Sequence, residues 1–273
     1  MTTNTGLHRF ALLTALVALA AIVAGAVVTS IERPLASNTA AVSSATVQAW
    51  HQIIAGLAVV LAGCLAIWLT VGKAGKRLRQ LGASVLLAAA AGAALGTPSV
   101  LRSFLPLSGM AHALMAYLFF AGAVIVAVVT SASWQQTPER IQDTWRPSLR
   151  SLSVCVPAIV ILQIILGAAF RYKTVGVLWH ILNAMLVLLL ILCVAVFLIR
   201  QFPKHPTLRP AAISLAVITS IQVLLGFTTF LMLLLFPESS PAVIVTSALH
   251  AGTGALTLAA SAVLAVQIRH TIA

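Results

Sequence analysis

Eight separate runs of mainly apolar residues divide this chain, and the core of one water-soluble domain cannot absorb that many. The runs fall at about 10–30, 48–71, 80–97, 108–132, 150–170, 174–199, 211–235 and 241–268, and a bilayer-spanning helix needs about 20 such residues. With 61% of 273 residues hydrophobic and only 7% charged, little chain is left for anything but short loops. In lipid the backbone must satisfy its own hydrogen bonds, so runs of this length are helices. The expected fold is an all-α integral membrane protein with eight transmembrane helices. The first run follows Arg9 and exceeds the 7–15 apolar residues of a signal-peptide core, so it is read as a retained helix.

A formal net charge of +12 would suit a nucleic-acid partner, but threading the eight helices assigns the charge elsewhere. With the N-terminus in the cytoplasm, Arg9, Lys73, Lys76, Arg77, Arg79, Arg140, Arg146, Arg150, Arg200, Lys204, Arg209 and Arg269 fall inside. Only Arg33, Arg102, Arg171 and Lys173 fall outside. This is the positive-inside bias of a multi-pass protein of the plasma (inner) membrane with both termini cytoplasmic. It implies the lipid bilayer as partner and no nucleic acid. Cys64, Cys155 and Cys193 provide no pair on the outer side where a disulfide would persist.

The polar stretch from Ser133 to Arg150 holds two of the four acids and reads as a cytoplasmic linker. It divides the chain into residues 1–140 and 141–273, expected to be two pseudo-repeated four-helix bundles. Each half has a histidine at the outer mouth of its second and fourth runs. The odd runs each carry a glycine near the outer end, Gly25, Gly92, Gly167 and Gly226. Such glycines are read as places where helices approach closely. In the second half they close the motifs QIILG and QVLLG, whose glutamines Gln163 and Gln222 are expected to hydrogen-bond between helices.

The seven histidines sort by topology. His8, His205 and His270 adjoin Arg9, Lys204 and Arg269 and are read as a solvated basic group on the inner side. His51, His112, His180 and His250 lie in the first turns of the second, fourth, sixth and eighth runs, which places all four in one layer near the outer face. Polar residues at membrane depth are costly and tend to be functional. Imidazole suits iron, copper and zinc. A structural zinc site wants four ligands around one ion, whereas pairs on facing helices suit the two axial positions of a heme. One turn beyond each histidine stands Ala55, Ala116, Ala184 or Gly254, which would leave an open face for a flat macrocycle. Arg33 and Arg102 flank the first pair, and Arg171 and Lys173 precede the second, where cations can hold propionates.

With its eight apolar runs, two histidine pairs and motifs such as QIILGAAFR (Gln163–Arg171), the chain resembles the heme A synthase family. The resemblance implies a membrane oxidoreductase that converts the ring methyl of heme O to a formyl group for cytochrome oxidase assembly. It implies heme b as cofactor on His180 and His250, with Arg171 and Lys173, and heme O as substrate on His51 and His112, with Arg33 and Arg102. Heme O synthase, oxidase assembly factors and an electron donor are the partners it suggests. The chain departs from the family at Gln48, three residues before His51, where the family pattern has a glutamate. The catalytic position is thus held by an amide, and a non-catalytic bis-histidine diheme cytochrome is the alternative reading. A proton-coupled transporter would keep a carboxylate inside the membrane, and Glu32, Glu139, Asp143 and Glu238 all fall in loops.

Overall fold

The computed structural model describes residues 5–32 and 40–272, with the backbone alone for residues 32, 40–44 and 102. Its helices are α1 (Thr5–Glu32), α2 (Ala40–Val71), α3 (Lys76–Leu95), α4 (Pro98–Phe104), α5 (Leu107–Val129), α6 (Leu149–Arg171), α7 (Val177–Gln201), α8 (Leu208–Leu235) and α9 (Pro241–Thr271). All but α4 are long and apolar enough to cross a membrane, and they correspond to the eight runs in order. The short α4, which carries Arg102, had no counterpart among the expected helices. Proline opens it, as proline opens α9, because the first turn of a helix has no use for that backbone N–H.

The buried faces follow helical spacing. Leu7, Ala11, Ala15, Ala18, Ile22 and Ala26 form one stripe along α1, while Leu12, Leu13 and Leu16 on the opposite face are exposed, as lipid-facing residues are. Small residues in the stripe let α1 approach Ala58 and Ala62 of α2 closely. Helix α1 packs on α2 and α5, and α3 packs on α2 and α5. In the second half α6 packs on α7 and α9, and α8 packs on the same two. Contact between these sets runs mainly from α9 to α1 and α5. Gly252, Gly254, Ala255 and Ala259 keep α9 slim enough for that central position.

At the opposite end from the four site histidines, the linker is docked. Ile141 N–H donates to Thr271 O at 3.0 Å and Arg140 reaches Ile272 O at 3.1 Å. The Asp143 carboxylate accepts from the N–H groups of Leu149 and Arg150 at 2.8 and 3.0 Å. It thereby satisfies two donors that the start of α6 leaves open. The reading of His205 as solvated is corrected here, and His8 and His270 are partly exposed but engaged. His205 is only 4% exposed, and its Nδ1 accepts from the N–H of Leu208 at 3.2 Å, capping α8. His8 is tied to Ala127 O at 2.8 Å, and His270 stacks on Trp134 with ring centroids 4.0 Å apart.

Candidate functional site

The four remaining histidines come together as two pairs built to one pattern. The rings of His51 on α2 and His112 on α5 have centroids 6.3 Å apart and planes at 86°. Those of His180 on α7 and His250 on α9 are 6.2 Å apart with planes at 85°. The shared layer does not arise from a shared position in the first turn, as the sequence suggested. Helix α2 begins eleven residues before His51 and α9 nine before His250, whereas α7 begins three before His180.

What fixes each ring is a glycine on the preceding helix. A Cβ at Gly25 would lie 3.0 Å from His51 Cε1, one at Gly167 2.9 Å from His180 Cε1, and one at Gly226 2.8 Å from His250 Cε1. For His112 the glycine is Gly96, at the end of α3, where a Cβ would lie 2.5 Å from Cε1. Gly92 serves the same ring differently, as its carbonyl lies 2.7 Å from His112 Nδ1. These glycines therefore seat imidazoles rather than merely letting helices touch. In all four cases Cε1 and Nδ1 are the ring atoms nearest the glycine, so the rings are presented alike.

The expected interhelical glutamine bonds are present, and they end on the histidines. Gln163 Nε2 lies 3.1 Å from His180 Nδ1 and donates to His180 O at 3.1 Å, while its Oε1 accepts from Asn183 at 2.8 Å. Gln222 Nε2 lies 3.5 Å from His250 Nε2, and Thr253 Oγ1 donates to Gln222 Oε1. The open face expected at Gly254 is used by this amide, since a Cβ there would meet Gln222 Nε2 at 3.1 Å. Asn183 and Thr253 were not singled out in the sequence. Each lies three residues beyond a site histidine, a spacing that places it on the same helix face.

The remaining candidate residues are dispersed. Gln48 is half-buried on α2, one turn before His51. Arg171, at the end of α6, donates through Nη2 to Ala26 O at 2.9 Å, Ser30 Oγ at 2.8 Å and Thr29 Oγ1, all on α1. Lys173, in a left-handed backbone conformation, faces Glu238 at 3.8 Å in an exposed ion pair. Arg33 lies outside the described residues, as does the side chain of Arg102.

Among the described residues no three of His, Cys, Asp or Glu converge as a metal cluster, so the chemistry open to this layer is that of ligand pairs. Two imidazoles bound trans to one metal, each with a metal–nitrogen bond of about 2.0–2.1 Å, place their ring centroids about 6.3 Å apart. Both pairs have that separation. A ligating histidine commonly turns its other nitrogen to a backbone carbonyl or another acceptor, and His112 with Gly92 already has this form. His51 Nδ1 and His250 Nδ1 are buried without a hydrogen-bond partner. The donor set and centroid spacing of each pair are those of two imidazoles that could share one iron.

Together these features define a polytopic α-helical membrane protein with two crossed histidine pairs. No known family model matches the chain, and no curated protein matches it.

Proposed function

We propose that this protein is a heme A synthase-like oxidoreductase of the plasma membrane, built as two pseudo-repeated four-helix bundles, 1–140 and 141–273. The observation that carries the reading is the recurrence of one histidine arrangement, 6.3 Å at 86° and 6.2 Å at 85°, each ring seated on a glycine. His180 and His250 hold heme b, and His51 and His112 receive heme O as substrate. Heme b, when bound, supplies one-electron transfer. Converting a ring methyl to a formyl group takes one water and releases four electrons and four protons, so an external electron-transfer partner is required.

The chain's own residues orient and restrain. Gln163 and Gln222 hold His180 and His250 in the ligand-free protein, and their N–H groups would turn off the imidazole lone pairs when iron binds. Gln48 can donate and accept hydrogen bonds beside His51 but cannot take up a proton at neutral pH, as a glutamate would. Of the cations read as propionate anchors, Arg171 is engaged by α1 and Lys173 by Glu238, which leaves Arg33 and Arg102 as anchors for the substrate side. The cation distribution supports an outer location for the histidine layer and cytoplasmic termini. Heme O synthase and oxidase assembly factors are the partners that supply and use such a product.

Gln48 favours a second reading, a diheme cytochrome that transfers electrons or handles heme without oxidising it. Extracting the tetrapyrroles from the purified protein and identifying them by mass separates the two. Heme A or a hydroxylated heme O is the expected result. Heme b alone supports the cytochrome, and absence of any tetrapyrrole rejects both.

A further inference from the structure

We propose that Arg171 and Tyr172, at the end of α6 in the C-terminal half, form a strap that positions the histidine pair of the N-terminal half. The inference rests on the reading of these pairs as binding sites, but its geometry does not. Arg171 Nη2 reaches three acceptors on one turn of α1, the carbonyl of Ala26 and the hydroxyls of Thr29 and Ser30. Ala26 directly follows Gly25, the seat of the His51 ring. Tyr172 points to the other member of the same pair, because its ring fills the space that a Cβ on Gly109 would take. Gly109 lies on α5, three residues before His112. Two consecutive residues of one half therefore grip the helix that seats His51 and the helix that carries His112.

The same α6 turn connects to the C-terminal pair. Arg171 follows by four residues Gly167, which seats His180, so the two residues share a face of α6. The three bonds leave one nitrogen, Nη2, at the far end of a planar guanidinium, and the shorter, freely rotating ammonium of a lysine does not place a donor there in one direction. The strap makes Arg171 a positioning residue for the N-terminal pair, in place of a propionate anchor for its own half.

The test uses the full-length protein in detergent with two readouts. In the ligand-free protein, the rate of diethylpyrocarbonate modification is measured at each histidine by peptide mass mapping. In a His180→Ala/His250→Ala background, hemin is titrated onto the N-terminal pair. Arg171→Gln is expected to speed modification of His51 and His112 several-fold and to weaken hemin binding there about tenfold, since hydrogen bonds from a charged donor are involved. Thr29→Val/Ser30→Ala, which removes two acceptors from the α1 side, is expected to act in the same direction. Arg171→Lys is expected to recover only part of the loss.

The proposal is overturned if both Arg171→Gln and the α1 double variant leave His51 and His112 unchanged. It is equally overturned if Arg171→Gln alters only His180 and His250. Should the unmodified protein bind no hemin while the modification rates still shift, the strap stands and the heme reading falls.

Discussion

The two histidine pairs share a geometry and differ in what holds it. In the C-terminal pair, side-chain amides from α6 and α8 reach both rings, and those amides are themselves held by Asn183 and Thr253. In the N-terminal pair the positions four residues before the seats Gly25 and Gly96 are Ala21 and Gly92, which carry no side-chain amide, and the Gly92 carbonyl lies on His112 Nδ1. A ring that a side-chain amide holds is organised before any ligand arrives, whereas a ring without one can adjust as a ligand enters and leaves. The difference suits a resident cofactor in the C-terminal half and an exchanging substrate in the N-terminal half, which is the division the family resemblance implies.

The largest effect should fall on what the pairs have in common. Gly167→Val, Gly226→Val and Gly25→Val each place atoms where an imidazole now lies. Each should reduce hemin affinity of its own pair by about a hundredfold, as filling a packed contact costs several kcal/mol. Gly56, which has nothing within 4 Å of its missing Cβ, is the control. Gly56→Ala should bind hemin normally and be slightly more stable, by up to about 1 kcal/mol. Equal loss at Gly56 would show that the effect is not specific to the seats.

A smaller effect should separate the halves. Gln163→Leu and Gln222→Leu each remove a hydrogen bond worth about 0.5–1.5 kcal/mol. Hemin affinity of the C-terminal pair should fall roughly two- to tenfold, with the N-terminal pair unchanged. A loss at both pairs would erase the distinction drawn above. Gln48→Glu should leave hemin affinity within about twofold and raise the rate of heme O oxidation, measured as formyl product per turnover. No gain would make the carboxylate dispensable here. The smallest effect is expected of Lys173→Ala. Its ion pair with Glu238 is exposed on both sides, at 77% and 43%, and such pairs contribute little. Thermal unfolding should be unchanged within error.

How far the sequence reveals this site depends on the range of the interaction involved. Eight helices are legible because lipid imposes a length and a polarity on every span. The histidines and the QIILG and QVLLG glutamines are legible because polar groups stand out against an apolar background. The seating of rings on glycines is not, because it depends on which helix faces which. A glycine that receives an imidazole from a neighbouring helix looks in sequence like one that receives a backbone. For the same reason Gly92 stood out where Gly96 is the seat of His112. Arg171 is less legible still. Its acceptors are about 140 residues away on α1, and no local pattern announces them. His205 lies next to Lys204 in a loop, which suggests solvent, yet its ring is turned inward to cap α8.

The central claim is that each crossed histidine pair clamps one iron, and electron paramagnetic resonance of the ferric, hemin-loaded protein tests it most directly. Imidazole planes at 86° and 85° should produce two low-spin signals of the strongly anisotropic kind that crossed axial ligands cause, in place of the rhombic signal of parallel planes. His180→Ala should remove one of the two and leave the other. High-spin iron in the unmodified protein, or a single signal unaffected by His180→Ala, would contradict the account.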